Sequence, residues 1–152
     1  MSQQALTPSE RSRVGLWIRL ARCYNLAFRE LRSGLREECT MPQFDVLAQL
    51  ERSPEGLTFS AISEKLLVTA GNLTGIVDRL EKQGLARRET NPNDRRQTFI
   101  KLTDKGREYC DKVIPQHTHD IAQLLGGLSD NTVQNLRTDL DRLATLLDEK
   151  NQ

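Results

Sequence analysis

The chain has 152 residues, with 22 Lys and Arg against 21 Asp and Glu and a formal net charge of +1. That is long enough for one domain with a real core and too short for two, so one fold unit is expected over residues 1–152. Met1 to Arg13 is polar without an apolar leader core, and no stretch approaches about eighteen consecutive apolar residues, so neither a secretory signal nor a membrane span is expected. Cys23, Cys39 and Cys110 are far apart and odd in number, which is neither a disulfide framework nor metal-ligand spacing and suits a reducing cytoplasm.

In chain order, Pro8-Ser9-Glu10 opens a helix on which Val14, Trp17, Ala21, Tyr24, Phe28, Leu31 and Leu35 recur at alternating steps of three and four. A second stripe, Leu16, Leu20, Cys23 and Ala27, widens the apolar face beyond what one neighbour covers. Thr40-Met41-Pro42 starts a second helix carrying Phe44, Val46, Leu47 and Leu50, which ends before Ser53-Pro54-Glu55-Gly56. Thr58 is the N-cap of a third helix with Ala61, Ile62 and Leu66, although Ala61 stands where a capping box would have Glu. A fourth helix from Thr69 puts Leu73, Ile76, Val77 and Leu80 on one face and stops at Gly84, its other face free.

Beyond Gly84 the period changes. Leu85 to Thr90 and Gln97 to Leu102 are strand-like, and Asn91-Pro92-Asn93-Asp94 between them is turn chemistry, so a β-hairpin is predicted. Thr103-Asp104-Lys105-Gly106 opens a fifth helix that is interrupted near Gly126-Gly127. Ser129 then caps a sixth helix with Val133, Leu136, Leu140, Leu143 and Leu147 at heptad-like steps. The fold class is therefore mainly α with a small β-hairpin wing.

Charge is segregated along this order: seven basic residues face three acidic ones between Arg79 and Lys101, and two face five between Ser129 and Glu149. Such a division suits a protein of which one part meets phosphates, although a chance grouping on solvated faces gives the same count. Two short helices joined by Leu67-Val68 and followed by a basic hairpin form a helix-turn-helix with a wing. A helix is about as wide as the DNA major groove, so the outward Gly71, Asn72, Thr74 and Gly75 can bring backbone and small side chains near base edges. The N–H groups at its start, with Thr69 as cap, can hold a phosphate. Glycine at 71 and at 75 costs roughly 1 kcal/mol each against alanine, and close approach to a partner is one reason to keep them. At the hairpin tip, Asp94-Arg95-Arg96 offers long cations to an adjacent minor groove, with Asp94 orienting one guanidinium. A turn-stabilising ion pair is the alternative.

These residues resemble a known family. The run Leu57-Thr58 through Leu102-Thr103 is similar to the multiple-antibiotic-resistance-regulator (MarR) family, above all in Asp78-Arg79-Leu80-Glu81-Lys82-Gln83-Gly84-Leu85, then Asn93-Asp94-Arg95-Arg96 and Leu102-Thr103-Asp104-Lys105-Gly106. The resemblance implies a homodimer built on helices within 8–38 and 104–149, with a winged helix-turn-helix lobe over 41–103. It also implies a transcription regulator, most often a repressor, that binds a palindromic site on double-stranded DNA. The helix from Thr69 would enter the major groove and Arg96, steadied by Asp94, the minor groove. Many members carry Ser or Thr with a nearby Arg where this chain has Gly71, Asn72 and Gly75, so base readout is not carried over. Asn72 and Thr74 are the base-facing candidates on chemical grounds, and Arg79, Arg88 and Lys101 the phosphate candidates.

The resemblance further implies release from DNA by a small, often phenolic, ligand or by an oxidant. Trp17, Arg22, Tyr24 and Phe44 are the candidates for a ligand pocket, with ordinary core packing as the other reading. Cys23 beside Tyr24 is the redox candidate, similar to the reactive cysteine of the family's peroxide-sensing branch. Cys39, flanked by Glu37 and Glu38, has the wrong electrostatics for a reactive thiolate, and Cys110 reads as a small buried hydrophobe. His117 and His119 diverge on a helix, so no metal site is expected. No cofactor is expected and no catalytic residue is assigned, since no nucleophile triad, phosphate loop or carboxylate pair stands out. A winged-helix module that binds protein and a thiol-based sensor or enzyme using Cys23 remain as rival readings.

Overall fold

Thr7 and Glu10 close a capping box at the start of the first helix, α1 (Pro8–Gly34), in the computed structural model, which describes residues 5–35, 39–66 and 68–150. A second capping box, Thr40 with Gln43, opens α2 (Met41–Glu51), with Pro42 in the first turn, where its missing N–H costs nothing. A short strand β1 (Leu57–Thr58) leads into α3 (Phe59–Leu66), and the Ala61 N–H donates to Thr58 Oγ1 at 3.2 Å. Then come α4 (Ala70–Lys82), β2 (Ala86–Thr90), β3 (Thr98–Leu102), α5 (Asp104–Leu124) and α6 (Asp130–Glu149). The fold is the mainly helical winged helix-turn-helix that the sequence predicts.

One detail differs from the sequence reading. The wing has three strands in the order β1-β3-β2, with Leu57 opposite Ile100 and Thr58 opposite Phe99 on the added edge. A two-residue strand has no alternation to detect, so its signal merged with that of the Thr58 cap. Helix α5 runs to Leu124, just short of Gly126-Gly127, and passes through Pro115, which interrupts one backbone hydrogen bond without ending the helix. Residues 36–38, and Leu67 of the expected Leu67-Val68 connection, lie outside the described residues.

The chain divides into two compact units, Met1–Thr118 and His119–Gln152. In the first, Leu47 and Leu50 of α2, Ile62 of α3, Leu73, Val77 and Leu80 of α4 and Ile100 of β3 are at most 2 % exposed. Each such side chain contributes about 1.5–3 kcal/mol of burial, so this set holds the inner face of α4 against the wing and the two preceding helices. The α4 terminus is closed by a Schellman motif: the Leu85 N–H donates to Leu80 O at 2.9 Å and the Gly84 N–H to Glu81 O at 2.9 Å. Gly84 has φ 72°, a left-handed conformation that a side chain would strain. In the second unit, Ser129 Oγ accepts from the Thr132 N–H at 3.2 Å and caps α6, along which Leu136, Leu140, Leu146 and Leu147 remain about half exposed.

Candidate nucleic-acid interface

Helix α4 is two-faced. Thr69 Oγ1 accepts from the Asn72 N–H at 3.4 Å, so the predicted cap is in place, while Gly71, Asn72 and Thr74 stand exposed opposite the buried stripe. The Thr74 hydroxyl donates to Ala70 O at 3.0 Å, which leaves its oxygen free to accept. A Cβ built at Gly71 meets nothing within 4 Å, and one at Gly75 meets only Arg79 Nη2 at an ordinary 3.5 Å. No intramolecular packing in the described residues therefore requires either glycine. Gly71→Ala is expected to stabilise the free protein by about 1 kcal/mol in thermal melts. Arg79 folds back along the helix, its Nε donating to Gly75 O at 3.0 Å.

The wing tip is built from side-chain-to-backbone bonds. Asn91 Oδ1 accepts from the Asn93 N–H at 3.0 Å, and the Asn91 N–H donates to Gln97 O at 2.9 Å. Asp94 Oδ1 accepts the Arg96 backbone N–H at 3.0 Å. Among the described residues Asp94 makes no ion pair, so it acts on the main chain of Arg96 where the sequence reading had it orient a guanidinium. Arg95 and Arg96 are exposed. Arg96 lines an open cleft of about 420 Å³ with Thr58, Phe59, Ser60, Arg88, Gln97 and Thr98.

The remaining basic candidates are engaged within the protein. Lys101 Nζ lies 3.0 Å from Glu89 Oε1, and Arg87 Nη2 lies 3.3 Å from Glu89 Oε2. The hydrogen bond and charge of Lys101, followed by those of Arg87, hold the Glu89 carboxyl below its ordinary range. Arg88 pairs with Asp78 at 2.7 Å and also with Glu81.

The ligand and redox candidates separate. Trp17 and Tyr24 are 69 % and 67 % exposed on α1, where Arg22 and Cys23 are exposed too, whereas Phe44 is buried with its ring centroid 4.4 Å from that of His117. The sequence reading missed His117 as a core residue because its one cue was its spacing from His119. With Leu35, Tyr109 and Val113 it lines a cavity of about 150 Å³. Burial pushes the Cys110 thiol up to about 11 and raises that of Cys39, so both are held neutral. For Cys39 burial comes first, and among the described residues the Asp45 carboxylate adds to it; Glu37 and Glu38 lie outside the described residues. Among the described residues no group of three or more His, Cys, Asp or Glu can hold a metal ion, and no helix is long and apolar enough to cross a membrane.

A helix packed on one face and open on the other, docked beside a basic three-stranded wing, defines a winged helix-turn-helix protein. Residues 39–98 match the MarR family model. The chain is 41 % identical over 95 residues to the uncharacterized HTH-type transcriptional regulator YkoM of Bacillus subtilis, covering 62 % of this chain and 60 % of that one. It is 30 % identical over 120 residues to the HTH-type transcriptional regulator MhqR of the same organism, covering 78 % and 82 %. The chain thus spans about three fifths of the length of YkoM and most of that of MhqR. Among solved structures, Sco3205, a MarR family transcriptional regulator from Streptomyces coelicolor in complex with DNA, superposes with a TM-score of 0.81 at 26 % identity over 94 % of each chain. The chain belongs to the MarR family.

Proposed function

We propose that this protein is a transcription regulator that binds a palindromic site on double-stranded DNA as a homodimer. In this reading α4 lies in the major groove and Arg96 in an adjacent minor groove, with Asn72 and Thr74 toward base edges and Arg79 and Arg95 near phosphates, while Lys101 stays with Glu89. The observation that carries it is the outer face of α4, where Gly71, Asn72 and Thr74 are exposed and a Cβ at Gly71 would touch nothing of the described chain. Residues 41–103 form the DNA-binding lobe, and helices within 8–38 and 104–149 the dimerisation part. The exposed Leu16, Trp17 and Ile18 of α1 and Leu136, Leu140 and Leu147 of α6 are apolar surface that a second copy would cover. Repression, and release by a small phenolic ligand, are the mode that the family resemblance implies.

Fluorescence anisotropy with DNA from upstream of the protein's own gene, over a salt series, tests this reading. Two chains should bind per site, with half-sites about one helical turn apart. Each neutralised phosphate adds about 0.9 to the slope of log affinity against log salt, so six contacts weaken binding roughly a thousandfold between 50 and 200 mM. Binding that ignores salt would instead support a module that docks protein.

A further inference from the structure

We propose that Arg88 is a positioning residue: it clasps the wing to α4 and so fixes the register between the helix and the wing tip, instead of contacting a phosphate. The proposal rests on the DNA-binding reading above.

The geometry is specific. Arg88 is the middle residue of β2, opposite the fully buried Ile100 of β3. Its Nη2 lies 2.7 Å from Asp78 Oδ1 and its Nη1 pairs with Glu81 Oε2, so both terminal nitrogens are held by carboxylates one turn apart on α4. Its backbone N–H also donates to Glu81 Oε1 at 2.9 Å, and its guanidinium carbon sits 5.4 Å from the centre of the Phe59 ring at the start of α3. One side chain therefore ties β2 to α4 and α3.

What it spans is a pivot. Only Gln83, Gly84 and Leu85 separate α4 from β2, and Gly84 occupies the left-handed region. A small rotation there would swing the wing tip, with Arg96, relative to the exposed face of α4. A planar guanidinium held by two carboxylates resists such a swing better than a point charge does. The same two carboxylates make Arg88 a poor phosphate ligand, because a phosphate would have to displace or sit beside them.

The test uses the full chain with the substitutions Arg88→Ala, Arg88→Lys and the double change Asp78→Asn with Glu81→Gln. On charge alone, removing two carboxylates beside the interface should tighten binding to every DNA. The clasp predicts the opposite for the specific site: affinity falls about tenfold while binding to unrelated DNA stays level or rises. The Arg88→Ala salt slope should match that of the wild type, and Arg88→Lys should recover part of the selectivity. A slope lower by about 0.9 in Arg88→Ala makes Arg88 a phosphate contact and overturns the proposal. So does full selectivity in the double variant.

Amide hydrogen exchange on the free proteins gives a readout that does not need DNA. Exchange across 86–102 should quicken several-fold in Arg88→Ala and in the double variant, while Leu73, Val77 and Leu80 keep their protection and show that the lobe is folded. Unchanged exchange in the hairpin overturns the clasp whatever the DNA data. A wild-type chain without site-selective binding overturns the DNA reading, and with it the positioning role, while the exchange data still report the clasp.

Discussion

Alanine in place of Arg96 is expected to lower affinity for the specific DNA site by about tenfold to a hundredfold and to affect unrelated DNA far less. The turn that presents Arg96 is preformed, since Asn91 organises it and the Asp94 carboxylate holds the Arg96 backbone N–H at 3.0 Å. Those bonds involve the main chain at position 96 and survive the substitution. What is lost is one exposed guanidinium without a carboxylate partner among the described residues. A guanidinium in a narrow minor groove is rewarded by the enhanced negative potential there, and a good base-edge contact discriminates by about 1–3 kcal/mol. Anisotropy titrations of both proteins on specific and unrelated duplexes check this. Equal affinities would remove Arg96 from the mechanism.

The largest expected effect on stability is that of Gly106→Ala. A Cβ at this position would lie 2.0 Å from Leu85 O and 2.9 Å from Leu85 C, both backbone atoms. No side-chain rotation relieves that overlap, so α5 must lift from the end of α4. The junction is closely bonded: the Thr103 hydroxyl donates to Gly84 O at 2.6 Å, its oxygen accepts from the Gly106 N–H at 3.0 Å, and the Thr103 N–H donates to Leu85 O at 3.1 Å. Overpacking usually costs about 1–3 kcal/mol, and a backbone collision belongs at the upper end. For a chain of this size that lowers the melting temperature by roughly 10 °C. A melt within a degree of the wild type would show that Leu85 and the start of α5 are not packed so closely. Gly71→Ala is the contrast, since the same chemical change in open space is expected to stabilise the fold.

How much could be read in advance depended on whether a feature is local. The three- and four-residue steps of α4 announce both its buried stripe and its open face, and Thr69, Gly84 and Ser129 mark helix ends by chemistry that acts within a few residues. The wing was legible as a hairpin for the same reason, because Asn91 to Asp94 carry their own turn preference. β1 was not, because its two residues become a strand only through β3, some forty residues later.

The candidate site divides along the same line. The residue types and order around α4 and the wing made Gly71, Asn72, Thr74, Arg95 and Arg96 candidates before any coordinates, since groove width and charge set their chemistry. Arg88 and Lys101 looked like equally available cations, and only the fold brought Asp78 and Glu81 to the first and Glu89 to the second. Likewise, nothing local distinguishes Gly106 from a glycine in a solvent-facing turn, and its constraint comes from Leu85 across the α4–β2 junction. By itself the sequence determined the six helices, the hairpin, their order and the family, because periodicity, capping and turn chemistry act over a few residues. The tertiary structure alone decided which charges are spent on the protein itself and which are left for a partner, because ion pairing depends on distances that chain order does not encode.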